Sequence, residues 1–248
     1  MTDERSPPSD LRGRLADVFV PALVTGAVDA LSRRLGNRAT IDDPRHGRAT
    51  SLASIEPLLA RIASYFAEGH ATYEHVCSTT GIDRDASEGR LAMTIGGEAQ
   101  SVPIAIVAER RRLREIELRV YYEAEGVEGR KPRSPLLPVD VDTPLASLVE
   151  SIVDSLRRSA LERALAGFEE AARVVDPRGR VHSKADGTLG VYLSDLGDLD
   201  LQLAGAADDG RTACLEGTIE RRGEAPAPAM FAFQRGDSGL VRELRLYW

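Results

Sequence analysis

The chain repeats itself, and this repeat constrains its fold more than any other feature of the sequence. The word ELRVYY at 117–122 returns as ELRLYW at 243–248, an offset of 126 residues. The word DPR at 43–45 returns at 176–178, an offset of 133 residues. An insertion or deletion in the loops between the two words accounts for the difference. Because repeated words in the same order are typical of duplicated units, the sequence predicts two copies of one module.

The order of secondary structure is also predicted to repeat. Apolar residues recur every four positions from Leu15 to Leu35, which indicates a helix, and Pro21 and Gly26 predict a kink or a helix pair there. A second pair is predicted between Leu145 and Phe168. Third helices are predicted at 55–66 and, shorter, at 189–193. Strands are predicted at 72–79, 90–95, 102–108 and 113–122, and again at 199–203, 212–220, 229–234 and 240–248. Helices followed by antiparallel strands are typical of an α+β fold.

The predicted boundary between the modules is rich in proline. Residues 1–10 are predicted to be a disordered N-terminus, 11–122 the first module, 123–144 a semi-rigid linker and 145–248 the second module. Because the linker is short and each module has a sheet face to cover, we expect the two copies to pack as an intramolecular pseudo-dimer. Further assembly into a homo-oligomer stays open at this point.

Composition excludes several classes of partner. The net charge of -7 argues against nucleic acid, since phosphate binding needs a concentrated basic face, and the basic run at 110–114 lies among glutamates, as in a solvated turn. No stretch approaches the roughly 20 apolar residues of a membrane helix, and the N-terminus does not resemble a signal peptide. We therefore expect a soluble, cytoplasmic protein. Cys77 and Cys214 are interpreted as buried, inert thiols, and the four histidines predict no metal site.

Three segments of the first half resemble a known superfamily. VFVPAL at 18–23, VDAL at 28–31 and ATIDDP at 39–44 are similar to the opening of nuclear transport factor 2-like proteins, which include ketosteroid isomerases and SnoaL-like polyketide cyclases. The resemblance reaches the second half in element order and at Asp176-Pro177. It implies two tandem cone-shaped modules, each with three helices packed on a strongly curved antiparallel sheet around a mostly apolar cavity. Enzymes, binding modules and assembly domains all use this fold, so it leaves the activity open.

The resemblance also indicates candidate catalytic residues. In ketosteroid isomerases the aspartate before the proline shuttles a proton, and Asp43 and Asp176 occupy that position. The isomerases further need two oxyanion donors, a tyrosine and an acid, where this chain has Phe19 and Ala105. Losing one such donor typically costs roughly 10²–10³ in rate, so steroid isomerisation is not expected. The corresponding residues of the second module are Ile152 and Met230.

Each candidate side chain also has a structural interpretation. Asp-Pro commonly starts a turn in which the carboxylate accepts backbone N–H groups, and we favour this interpretation for Asp43 and Asp176. His46 is either a general base at the cavity mouth or a solvated side chain. Arg119 either binds a carboxylate or enolate oxygen of a ligand in the cavity, or lies at the interface between the modules and pairs with Glu117, as Arg245 would with Glu243. We favour the interface interpretation.

Three hypotheses about function follow. The first is a protein that binds a small hydrophobic molecule, without a cofactor, in an apolar cavity. The second is a SnoaL-like acid/base enzyme, a cyclase or isomerase that uses Asp43 with His46 or Arg119. The third is a structural or assembly module whose cavities are filled by side chains. The residues expected to bind the ligand are Phe19, Leu23, Ile41, Tyr65, Ile104, Ile106 and Arg119.

Overall fold

The chain forms two compact units, each containing helices and one six-stranded sheet. In a computed structural model, the described residues are 12–111, 115–123, 137–140, 142–196, 200–220 and 225–248. The predicted architecture of two similar α+β modules is confirmed. The N-terminal ten residues, most of the predicted linker and, from the basic run, Arg112 and Arg114 lie outside the described residues.

The first module contains α1 to α3 and β1 to β6. Its helices are α1 (Leu15–Val24), α2 (Val28–Leu35) and α3 (Leu52–Glu68). Its strands are β1 (Ala39–Asp43), β2 (Gly47–Ala49), β3 (Thr72–Thr80), β4 (Arg84–Ile95), β5 (Glu98–Arg111) and β6 (Glu115–Tyr121). The sheet order is β2-β1-β6-β5-β4-β3.

The second module repeats this order with α4 to α6 and β7 to β12. Its helices are α4 (Ser147–Arg157), α5 (Leu161–Ala166) and α6 (Thr188–Asp195). Its strands are β7 (Phe168–Val175), β8 (Val181–Ser183), β9 (Asp200–Asp208), β10 (Thr212–Glu220), β11 (Ala227–Arg235) and β12 (Val241–Tyr247). The sheet order is β8-β7-β12-β11-β10-β9, which is the order of the first sheet.

The predicted break in the first helix lies after residue 24. Gly26 has a φ of 73°, a conformation that suits glycine, and α2 begins two residues later. Pro21 stays inside α1. The third helix begins at Leu52, and Ser51 and Ser54 cap its first turn. The Ser54 hydroxyl accepts the Ser51 backbone N–H at 3.1 Å.

Both sheets are mixed, which corrects the prediction of purely antiparallel sheets that follow the helices. The hairpins β1–β2 and β7–β8 come before α3 and α6, and they were not predicted because β2 and β8 have only three residues each. Strand β1 pairs in parallel with β6, with Ile41 opposite Leu118, and β7 pairs in parallel with β12. A parallel pair needs a long crossover, and here α3 with β3 to β5 supplies it. Phe168, predicted in a helix, is the first residue of β7 because α5 ends at Ala166.

One face of β4 is turned toward the helices. A Cβ built on Gly69, which follows α3, would lie 2.6 Å from the Met93 Cε atom, so Met93 points at that helix end. Alternate residues of a strand share a face, so Leu91, Gly89 and Ser87 point the same way. On β5 the partners of Gly89 and Ser87 are Ile104 and Ile106, which complete this helix-facing surface.

The second module has a continuous apolar interior on the matching face. Buried residues of α4, α6 and every strand from β9 to β12 join in one cluster that contains Leu201, Leu215, Phe231, Phe233 and Trp248. Burial of such large side chains stabilises a fold by about 1.5 to 3 kcal/mol each.

Candidate functional site

Asp43 closes the turn between β1 and β2. Its side chain is 3% exposed, and Oδ1 accepts the backbone N–H groups of Arg45 at 3.0 Å and His46 at 2.7 Å. His46 Nδ1 lies 2.9 Å from the same oxygen. These contacts confirm the turn interpretation of Asp43.

Asp176 does the same in the second module. It is 1% exposed, and Oδ1 accepts the backbone N–H groups of Arg178 and Arg180, each at 2.9 Å. The Arg180 Nε–H donates to Oδ2 at 2.6 Å, and this hydrogen bond together with the carboxylate charge raises the pKa of Arg180. The two aspartates therefore share one structural role, while a catalytic role stays a prediction.

A histidine and a tyrosine accompany each of these aspartates. His46 lies 5.6 Å from the Tyr65 ring of α3, and the Arg45 guanidinium stacks 3.9 Å above that ring. In the second module His182 stacks on Tyr192 of α6 at 4.2 Å and lies 3.4 Å from Asp176 Oδ2. The structure thus groups Tyr65 with His46 and Asp43, next to the β1–β2 turn.

The predicted apolar ligand-binding residues are buried in the first module. Phe19 and Leu23 lie on α1, which packs on β4 and β5, and both are 1% exposed. The side chains of Ile104 and Ile106 lie on the helix-facing side of β5. Ile41 on β1 is fully buried. Their use by a ligand stays a prediction.

Ala105 does not line the helix-facing surface. It alternates with Ile104 and Ile106 along β5, so it lies on the opposite face, across from Glu88. The ungapped alignment that put Ala105 at the position of the isomerase acid was therefore wrong by one residue, because Ala105 does not face the interior. The two inward neighbours are isoleucines, so neither residue provides the acid.

Two hydroxyl groups on the helix-facing surface of the first module were not predicted from the sequence. The Tyr73 ring on β3 covers Gly89, because a Cβ built on Gly89 would lie well inside 3.0 Å of the ring. Ser87 is 0% exposed on the same face of β4. Burial raises the pKa of Tyr73, and the charges of Asp17 and Glu88 raise it further. The Ser87 hydroxyl acts in the opposite direction and lowers it, but the net shift is upward. Tyr73 is therefore a protonated, neutral donor at physiological pH.

Tyr73 and Ser87 interact with each other as hydrogen-bonding neighbours, but neither hydroxyl forms a hydrogen bond of normal distance and angle with any described residue. Tyr73 Oη and Ser87 Oγ are both enclosed by protein. Buried polar groups without partners are uncommon in folded proteins and each calls for a physical reason. The pair lies beside Ile106, which is the cross-strand partner of Ser87.

The second module has apolar residues at the matching positions. The dipeptides Glu88-Gly89 and Glu216-Gly217 align β4 with β10, so Ser87 corresponds to Leu215, and its partner Ile106 to Phe231. Leu201 covers Gly217, since its Cδ1 atom would lie 3.1 Å from a Cβ built on that glycine. Leu201 therefore takes the place that Tyr73 has over Gly89 in the first module. The repeated Glu-Gly word was the sequence signal that could have located this site.

Arg119 belongs to a buried ionic network in the first module. It is 2% exposed; its Nη2 lies 2.8 Å from Glu109 Oε2, and its Nη1 lies 3.4 Å from Glu117. Glu109 also contacts Arg84 at 3.2 Å and Arg111 at 3.3 Å. The contact with Glu117 is the one expected of a structural Arg119, while its position at an interface between the modules stays a prediction. Ligand binding by this residue stays a prediction.

Arg245 occupies the matching place in the second module. It contacts Glu243 and donates to Gln234 Oε1 at 2.8 Å, and Arg173 also contacts Glu243. Burial raises the pKa of Glu243, but Arg245 and Arg173 outweigh burial and hold that pKa below its ordinary value. Burial likewise raises the pKa of Glu109, and Arg84, Arg119 and Arg111 outweigh it.

These lowered pKa values predict loss of stability in acid. Both glutamates have folded pKa values below the ordinary 4.5, so they bind fewer protons folded than unfolded. Their stabilisation is complete above about pH 5 and is lost as the pH falls through 4.5 toward the folded values. Urea unfolding between about pH 7 and pH 3 should show this decline. Glu243→Gln should flatten it, and an equally steep decline in that variant would contradict the assignment.

Cys77 is half-buried and Cys214 is buried, and both are free thiols. Within the described ranges, no three or more His, Cys, Asp or Glu side chains are grouped as a metal site would require. In the same ranges, none of the helices combines the length and the apolar character needed to cross a membrane.

Comparison with known proteins gives structural matches only. No protein-family profile and no curated protein matches the chain. Orange carotenoid protein of Anabaena (Nostoc), in a structure binding canthaxanthin, is 17% identical with a TM-score of 0.39, over 44% of this chain and 38% of that one. The chain thus spans well under half of the carotenoid protein.

Two further solved structures align over most of their own length. A nuclear transport factor 2-like protein of Cytophaga hutchinsonii is 17% identical with a TM-score of 0.36, over 43% of this chain and 92% of that one. A cystatin-fold protein of Novosphingobium aromaticivorans is 11% identical with a TM-score of 0.36, over 42% of this chain and 98% of that one. Over less than half of its length, therefore, this chain is similar in structure to proteins described as nuclear transport factor 2-like and cystatin-fold.

Proposed function

We propose that the first module binds a small hydrophobic molecule between α1 and the helix-facing side of β4 and β5. The observation that carries this proposal is the difference between matched interior positions of the two modules. The second module has Leu215, Phe231 and Phe233 where the first has the smaller Ser87, Ile106 and Ala108, all of them buried. Exceptions are Asp85, Ile104 and Tyr73, which are larger than Ala213, Ala229 and Leu201.

The difference in side-chain size at these matched positions is the reason for assigning different roles to two otherwise similar modules. Protein interiors are close-packed, so a position filled by phenylalanine in one copy and by alanine in the other leaves different room beside it. Ligand sites in proteins are mostly apolar with a few polar groups, and Phe19, Leu23 and Ile106 supply the apolar wall in the first module. The second module, with its continuous apolar cluster, is assigned a structural role.

The aspartates favour binding over acid/base catalysis. Asp43 and Asp176 make equivalent backbone bonds in the two modules, although we propose a ligand for only one of them. A feature shared by both copies is best explained by what they share, which is the β-hairpin turn. Asp43 is therefore assigned to the turn, and binding without a reaction is the function that this geometry supports best.

The proposal is tested by filling the site with the residues of the second module. Wild-type protein should gain about 5 to 10 °C in melting temperature with at least one compound of a neutral lipophilic panel, since ligand at 100 times its Kd adds about 2.7 kcal/mol. The double variant Ser87→Leu/Ala108→Phe should fold but lose this gain. Ser101→Leu makes a matched change at an exposed position of β5 and should keep it.

Two outcomes would contradict the proposal. One is that no compound stabilises the wild-type protein. The other is that the filled variant, folded by circular dichroism, is stabilised as much as the wild type.

A further inference from the structure

We infer that Tyr73 and Ser87 form a polar anchor for a carbonyl oxygen, so that the ligand of the first module is a neutral, apolar molecule carrying a ketone or a similar acceptor. This inference rests on the proposed function, and it adds the chemical class of the ligand. The two hydroxyls are hereafter called the hydroxyl pair.

The hydroxyl pair lies on the surface to which the proposed ligand would bind. Ser87 is 0% exposed, and the faces of β4 turn it toward the helices beside Ile106. The Tyr73 ring lies on Gly89, two residues further along the same face. A larger residue at Gly89 would displace the ring, so this glycine holds the phenol close to the sheet.

Burying the two hydroxyls without a full set of hydrogen bonds costs free energy, which a ligand oxygen would offset. Tyr73 Oη and Ser87 Oγ are buried without a partner of normal geometry among the described residues, and a buried polar group in that state costs about 1 to 3 kcal/mol. The second module avoids this cost by using Leu201 and Leu215 at the matching positions. Hydroxyls in one copy of a duplicated interior and leucines in the other are accounted for by a polar group on the ligand.

The charges around the hydroxyl pair select among acceptor groups. A phenol donates its proton, and a serine hydroxyl can donate as well, so the complementary ligand atom is an acceptor oxygen. The charged groups that act on Tyr73 are the carboxylates of Asp17 and Glu88. Asp17 also accepts the Ser78 hydroxyl at 2.6 Å, which holds it in place on α1. Two carboxylates repel an anion, so a neutral carbonyl is favoured over a carboxylate or phosphate.

The test compares ligands of equal shape with and without the oxygen. Acetophenone and benzophenone are each titrated against the hydrocarbon in which a methylidene group replaces the carbonyl, with benzoate as the anionic probe. Isoleucine-methyl-labelled protein reports binding at Ile104 and Ile106 by NMR. A ketone should bind about tenfold more tightly than its hydrocarbon counterpart, the value of one net hydrogen bond, and benzoate more weakly than either.

Variants assign the preference to the hydroxyl pair. Tyr73→Phe and Ser87→Ala should each lower the affinity for the ketone relative to the hydrocarbon, so that the ratio of the two affinities comes close to one. Both should be at least as stable as the wild type, because each removes a buried polar atom without a partner. Tyr192→Phe, the same change in the second module, should leave the tenfold ratio intact.

The outcomes separate this inference from the proposed function. Equal binding of ketone and hydrocarbon by the wild type would overturn the inference and support the proposed function. A ratio that persists in both Tyr73→Phe and Ser87→Ala would also overturn it. If neither ketone nor hydrocarbon shifts the isoleucine methyl signals, both the proposed function and the inference fail.

Discussion

Replacing Glu109 by glutamine is expected to destabilise the protein by about 3 kcal/mol, because it leaves two buried arginines without their main counter-charge. Glu109 contacts Arg84, Arg119 and Arg111 at 2.8 to 3.3 Å, and Arg119 is 2% exposed. Removing one partner of a buried ion pair costs more than the pair contributes, since the remaining charge stays desolvated. Urea unfolding at about pH 7 measures the loss.

The second module supplies the control for this prediction. Gln234 occupies the place of Glu109 there, and Thr212 that of Arg84, since both pairs face each other across matching strands. Arg84→Thr in the Glu109→Gln background should therefore recover at least about 1 kcal/mol, because it removes a buried positive charge that has lost its contact with Glu109. Glu98→Gln, an exposed change on the same strand, should stay within about 0.5 kcal/mol of the wild type. A Glu109→Gln loss as small as that control would show that the network contributes little.

The sequence predicted the fold better than it predicted the interior of the site. The repeat and its helical and alternating patterns gave two α+β modules, since periodicity reports which residues face a core. Short strands such as β2, with three residues, show no usable alternation and were missed. Ala105 was predicted on the wrong face of its strand, because an ungapped alignment does not determine which residues of a strand point inward. An error of one residue exchanges the two faces.

Tyr73 and Ser87 were missed for a different reason. Each is an ordinary residue of its strand, and their significance depends on which face they share and on the lack of a partner there. These are properties of the three-dimensional packing. For Asp43 the sequence left both a turn and a catalytic site open, because an Asp-Pro word looks the same in either case.

Alanine at Gly217 is expected to cost about 3 kcal/mol, the upper range for forcing atoms into a packed interior. A Cβ built there would lie well inside 3.0 Å of the Gln202 backbone oxygen, and backbone cannot move aside as a side-chain end can. The register of β9 and β10 shifts between Glu216 and Gly217, so this glycine lies at an irregularity of the strand pair, where backbone comes close. Chemical denaturation measures the loss. Gly190→Ala on α6, where the nearest atom is 3.7 Å away, should be neutral or slightly stabilising.

The matching change at Gly89 should behave differently, because its obstacle is a side chain. The new methyl group would meet the Tyr73 ring, which can rotate, so Gly89→Ala should cost about 1 to 2 kcal/mol, less than Gly217→Ala. The displaced phenol would no longer lie beside Ser87, so the variant should also lose its preference for a ketone over the matching hydrocarbon. Equal losses of stability in the two variants, with the ketone preference kept, would mean that Gly89 does not position Tyr73.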